Sequence, residues 1–224
     1  MCAAEPPGPP EPAEPAEPAE PAEPAEPAEP LPPPLPAPGT GPELARGALL
    51  VASPTLRDPN FARTVVYVIE HSADGTTGVV LNRQGVVDLD DVLPAWSAYA
   101  TGSRQLFSGG PVEATAALCL AQARDGANPA GWRAVTDGIG IVDLDADPVV
   151  LAPDITGLRV FAGYAGWEAE QLALELMAGA WFVVPGRPGD VFAAPNADLW
   201  QIVLARQGPP LAMLTTYPTD LRRN

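Results

Sequence analysis

Three features of the sequence predict an α+β fold, with one domain built on a mainly antiparallel sheet and a few flanking helices. Short apolar, β-branched runs outnumber helical patterns. Their spacing is irregular rather than a repeating βαβ alternation. A sharp break in composition near residue 45 separates this domain, residues 46–224, from a Pro/Glu/Ala tail, residues 1–45, that is expected to be disordered. About 180 residues remain after the tail, enough for one domain with a substantial core.

The tail holds 17 of the 30 prolines, nine glutamates and no basic residue. Its centre, EPAEPAEPAEPAEPAEPAEP from Glu11 to Pro30, has a strict three-residue period. Proline at every third place fixes φ and removes a donor, which excludes helix and central strand. A polyproline II rod with three residues per turn would align the glutamates along one edge. The repeat is expected to be a solvated spacer; its PxxP spacing also suits a proline-reading partner.

Taken in order, GALLVASP (Gly47 to Pro54) is a short apolar strand, followed by a turn at Asp58-Pro59. RTVVYVIEH (Arg63 to His71) is the strongest strand, β-branched and aromatic. Asp74-Gly75 is the dipeptide suited to a hairpin, and GVVLNR (Gly78 to Arg83) is the returning strand. Asp88 is placed to cap a short helix. Arg104 to Gln122 reads as strand, Gly-Gly-Pro turn and a second apolar segment. Two short strands flank Asp137-Gly138. GLRVFAGYAGW is a strand expected to turn sharply at Gly163 and Gly166, where only glycine fits. A helix follows, with Leu172 and Leu176 on one face beside Ala169 and Ala173, stopping at Gly179. AWFVVP is the next strand, and a last helix runs from an Asn196 cap to a Gly208 stop.

Charge and cysteine content narrow the function. The net charge of −16 divides into −9 for the tail and −7 for the remainder, and all twelve basic residues are arginine. Binding a phosphate backbone needs clustered cations, yet no stretch places more than two arginines together, so nucleic acid is not an expected partner. Cys2 and Cys119 make neither a disulfide framework nor a CxxC site, which suits a reducing compartment. With no signal-peptide pattern and no apolar run near the about 20 residues of a membrane helix, the protein is expected in the cytoplasm.

The candidate chemistry is sparse. His71 is the only histidine, so any nucleophile–base pair must use it, with Cys119 or Ser108 as a possible partner in space. GxSxG is absent. The acids of Asp143 to Asp154 fall at calcium-loop positions, but Pro148 stands where that loop needs glycine, so a solvated loop is expected. The glycines of SGGP and GYAGW match no phosphate-binding fingerprint, and a chain without lysine has no P-loop lysine. No metal, cofactor or catalytic residue is assigned.

These segments together, namely GALLVASPTLRDPNFARTVVYVIEHSADGTTGVVLNR, FSGGPV, FAGYAGWEAEQLALELMAGAWFVVP and TTYPTDLRRN, resemble the YqgE/AlgH family of bacterial proteins. The likeness spans Gly47 to Asn224 and implies an α+β fold without a settled activity; some members carry a transcriptional-regulator label. The family's typical residues match at His71, Asn82, Arg83, Gly109, Gly110, Tyr164 and Trp167, among others. The chain departs from the pattern at Gln84, where proline is usual, at Glu170, where glycine is usual, and at Leu120-Ala121, where a Leu-His pair is frequent. The leading expectation is a binding or regulatory protein for an unknown small molecule or protein partner. The pocket would be formed by His71, Asn82, Arg83, Gly109, Gly110, Tyr164 and Trp167, where polar strand ends meet glycine turns. An enzyme using His71 as acid or base and a transcriptional regulator are the alternatives.

Overall fold

The computed structural model describes Leu35 and residues 41–129, 131–136 and 138–217. The EPA repeat and Asp137 lie outside these residues. Ten strands form a curled sheet in the order β10-β1-β2-β3-β9-β6-β8-β7, with β4 paired to β5 and β5 to β9. The strands are β1 Ala48–Ala52, β2 Val65–Ser72, β3 Gly75–Val80, β4 Gln84–Asp88, β5 Gln105–Ser108, β6 Val112–Ala123, β7 Trp132–Thr136, β8 Ile139–Val142, β9 Ile155–Glu168 and β10 Trp181–Pro185. All pairs are antiparallel except β5 with β9, where Phe107 stands opposite Phe161. The architecture is α+β.

The apolar runs are continuous because the sheet is covered on both sides. In β1, Leu49 and Val51 enter the main core while Leu50 and Ala52 enter a second one. Val65, Tyr67 and Ile69 alternate with Val66 and Val68 in β2 in the same way. Helix α6 (Leu199–Ala205) supplies Leu199, Trp200, Val203 and Leu204 to the main core. Helix α4 (Ala169–Met177) lays Leu172 on the second. A third cluster is built on Cys119 and Ala121 of β6 and Leu158 and Val160 of β9. It takes in Leu89 of α1 (Leu89–Val92), Trp96 of α2 (Pro94–Ser97) and Leu151 of α3 (Pro148–Leu151). Fully burying each large apolar side chain contributes about 1.5–3 kcal/mol, so these three clusters dominate the favourable side of folding.

Local signals behave as their chemistry requires. Asp88 caps α1 through its side chain to Asp90 N, and Asp58 closes its turn by accepting from Asn60 N at 2.8 Å. The β2–β3 hairpin forms with Ser72 opposite Gly75, so the glycine opens the return strand while Ala73 and Asp74 make the loop. The returning strand therefore ends at Val80 rather than Arg83.

Two further expectations change. The last helix is capped by Asp198, whose side chain accepts from Gln201 N at 3.0 Å; it starts at Leu199 and ends at Ala205. Asn196 lies in the preceding irregular segment. More consequential is β9, which does not turn at Gly163 and Gly166 but continues to Glu168. Gly163 instead sits at φ +67 within the strand. Phe161 belongs to the main core and Tyr164 packs against the same core, although residues three apart on a regular strand face opposite ways. The glycine is a bulge that shifts the alternation by one residue. A Cβ there would come within 2.7 Å of the carbonyl oxygens of Gly110 and Val112.

A candidate functional site: a hollow and a buried arginine

The strand ends around Asn82 are tied by side chains. Asn82 Oδ1 accepts from Val65 N at 3.0 Å and its Nδ2 donates to Arg63 O at 2.9 Å. This holds Arg63, a non-glycine residue at φ +55, at the entrance to β2. Arg83 Nη2 donates to Ala62 O at 2.9 Å and Pro59 O at 3.4 Å, fastening the same loop. Both residues bond backbone that would otherwise lack partners.

Gly109 and Gly110 serve close packing. Gly109 N donates to Ala162 O and its carbonyl accepts from Val80 N, each at 2.8 Å, which joins β9 to β3 past the end of β5. An added Cβ at Gly109 would strike Gly163 O, and one at Gly110 the backbone of Tyr164. His71 is exposed at the end of β2, with Nδ1 bonded to Thr76 Oγ1 at 2.8 Å. Trp167 is buried, and its Nε1 donates to Glu175 Oε2 at 3.0 Å. Trp181 Nε1 donates to the same oxygen at 2.7 Å, and Gln171 Nε2 donates to Oε1 at 3.0 Å. The two indoles stand edge to face at 5.6 Å, with the ring of Phe61 beside both. Here a carboxylate on α4 fastens the helix to β9 and β10.

Cys119 is buried in the third cluster, and burial pushes its thiol up to about 12. The thiolate that a nucleophile requires is therefore opposed by its surroundings. In the acidic loop, Asp143 accepts from Asp145 N and Asp147 caps α3 through Val149 N.

A shallow hollow, enclosing only about 10 Å³, lies where the residues just after β3, the start of β4 and β5 meet the segment before α6. Leu81, Phe107, Ala193, Ala194, Pro195, Ala197 and Leu199 give it an apolar wall, and Asn82 and Gln84 supply amides. Of the seven residues expected to form a pocket, it contains Asn82.

Behind this wall lies a residue that the sequence reading passed over. Arg159 of β9 is 2% exposed. Its guanidinium carbon sits 4.2 Å from the centroid of the Phe107 ring, and Nη2 donates to Ala193 O at 2.7 Å. Among the described residues, Nε and Nη1 have no hydrogen-bond partner, and no carboxylate pairs with the side chain. Burial lowers its pKa to about 10, which still leaves it charged at neutral pH. One signal was available: a lone arginine inside LRVFAG is out of place in a buried strand.

A second arginine, largely but not fully buried, is paired with a carboxylate. Arg206 binds both oxygens of Asp190, with Nη2 to Oδ2 at 2.7 Å, and also donates to Pro185 O at 3.0 Å. Asp190 further accepts from Arg187 N at 2.7 Å, so α5 (Pro188–Val191) is tied to the end of α6.

A curled, mainly antiparallel sheet with helices on both faces and glycines clamped between strands defines an α+β protein of one structural class. Relatives of known sequence and structure fall in that class. The AlgH-like family model (DUF179) matches residues 49–212. A UPF0301 protein of Mycolicibacterium vanbaalenii is 47% identical over 181 residues, covering 80% of this chain and 90% of that protein. The UPF0301 protein of Mycobacterium tuberculosis is 48% identical over the same span. A crystal structure of a Corynebacterium diphtheriae protein matches at TM-score 0.75 and 35% identity, over 78% of this chain and 93% of that one. The solution structure of the AlgH protein from Pseudomonas aeruginosa matches at TM-score 0.58 and 30% identity, over 78% and 95%. The chain belongs to the AlgH-like UPF0301 family.

Proposed function

We propose that the protein is a cytoplasmic, non-enzymatic binding protein that takes a small molecule in the hollow beside β5. The observation that carries this reading is the hollow itself, an apolar concavity with Gln84 at one side, its Nε2 donating to Ser103 Oγ at 2.9 Å, while the neighbouring Asn82 amide is taken up by Val65 N and Arg63 O. Small-ligand sites combine an apolar wall with a few polar groups that fix orientation. The enclosed space is only about 10 Å³, roughly the room of one water, so a ligand is small and the walls part to admit it.

The regulator reading fits less well, because several arginines lie beside acids rather than on a cationic stripe. Arg46 and Arg133 approach Glu70, Arg63 approaches Asp198 and Arg104 approaches Asp90. Such pairs cancel the field that a phosphate backbone requires. The domain boundary remains as read from composition, with residues 46–224 binding and residues 1–45 a spacer.

The test is a screen of metabolites against the full chain by amide NMR. Binding in the hollow shifts the amide resonances of residues 81–84, 107, 193, 194 and 196–199. Ala194 is exposed at the hollow, so Ala194→Trp places an indole there with little cost to folding. Ligand shifts that persist unchanged in this variant would put the binding elsewhere.

A further inference from the structure

We infer that the hollow takes a small carboxylate with an apolar body, and that buried Arg159 supplies the cation that holds its head group. This rests on the binding reading above and names the chemistry of its ligand. Phe107 and Ala193 line the hollow, and the same two residues touch the Arg159 guanidinium, so the cation lies directly behind that wall.

An arginine has five N–H donors in one plane. Phe107 stacks on the guanidinium face and leaves that plane free. Ala193 O takes one N–H of Nη2, while the three on Nε and Nη1 have no partner among the described residues. Whichever Nη2 hydrogen Ala193 takes, the other lies beside one of the unpartnered nitrogens. A two-pronged edge therefore remains, and that geometry matches a carboxylate.

A desolvated cation without a counter-charge is costly, and a bound anion removes that cost. The apolar wall then selects for a hydrocarbon body behind the charged head. The guanidinium is closed off from solvent, so entry requires its cover to lift. Within itself that cover is bonded Ala193 N to Asp190 O, Ala197 N to Ala194 O and Leu199 N to Ala197 O, and it is tied elsewhere by Arg159 at Ala193 O and by the Arg63–Asp198 ion pair at 3.6 Å. It can move without breaking a sheet ladder.

Benzoate is the probe, with benzyl alcohol as its neutral counterpart and inorganic phosphate as an anion without an apolar body. Thermal unfolding of the full chain is followed in a buffer free of carboxylates. At about ten times Kd, benzoate should raise Tm by about 3–6 °C, and benzyl alcohol and phosphate by far less. The benzoate shift should vanish in Arg159→Met, shrink in Arg159→Lys and be blocked in Ala194→Trp. In wild type, benzoate should also move the Arg159 Nε resonance, a readout that does not depend on any variant folding.

A benzoate shift that survives in Arg159→Met, or an unmoved Nε resonance, overturns the assignment of Arg159. If Ala194→Trp still blocks binding in that case, the hollow stands as the site. Phosphate acting as strongly as benzoate overturns the apolar body. No response of wild type to benzoate overturns the carboxylate assignment, and neutral metabolites binding in the hollow would then leave the binding reading intact.

Discussion

Arg159 is buried and Arg206 largely so, and they illustrate opposite solutions to the same problem. Arg206 meets Asp190 with two nitrogens on two oxygens, and each partner has a further backbone bond. Arg159 meets a ring face and one carbonyl, with no carboxylate among the described residues. Removing a charge from water costs several kcal/mol in a real protein, and only good geometry with an opposite charge offsets it. The first arrangement is complete within the chain and holds α5 to α6. The second is left open on the side of a hollow. A fold that keeps a buried cation without its own anion carries a cost that folding alone does not explain.

The most severe way to probe this contrast is Asp190→Ala, which makes Arg206 resemble Arg159. Stranding that guanidinium should cost about 3–5 kcal/mol of stability, measured by urea unfolding at pH 7. Glu175→Leu examines a third arrangement, a carboxylate held by neutral donors alone. It orphans the indole N–H groups of Trp167 and Trp181 and should cost about 2–3 kcal/mol in the same measurement. Arg159→Met moves the other way. In buffer without carboxylates it should stabilise the protein by about 1–2 kcal/mol, since an unpaired charge gives way to an apolar chain of similar reach. A loss of stability there would mean that Arg159 is already satisfied and would remove the contrast. His71→Ala, at an exposed strand end, should change stability by less than about 0.5 kcal/mol and leave benzoate binding unaltered.

Much of the fold could be read from local chemistry. The β-branched run of β2, the hairpin at Asp74-Gly75, the Asp88 cap and the amphipathic α4 depend on neighbours within a few residues. What escaped depended on distant partners. Strand β4 is half exposed and weakly patterned, and exists because Gln84 pairs with Phe107 and Asp88 with Gln105. The first of two glycines resembling a turn proved to be a bulge, because residue 110 in the turn before β6 and residue 112 of β6 press against Gly163. The candidate site was legible only in part. Asn82 lies at the hollow, but the polar ends at Asn82 and Arg83 are occupied in bonding the 59–65 loop and strand start. Arg159 was visible as a lone charge in an apolar strand, yet only the packing of residues 107 and 193 against it gives it meaning.

Strand β9 joins β3, β5 and β6 along its length. Its partners Gly75 and Phe107 precede it by 93 and 54 residues in the chain, at Glu168 and Phe161. Such encounters must close long loops before any contact rewards them, which places folding in the range of roughly milliseconds to seconds. The amides of its centre, locked from both sides, should be the last to exchange with deuterated solvent, and cutting the chain between β3 and β9 should leave no half able to fold alone.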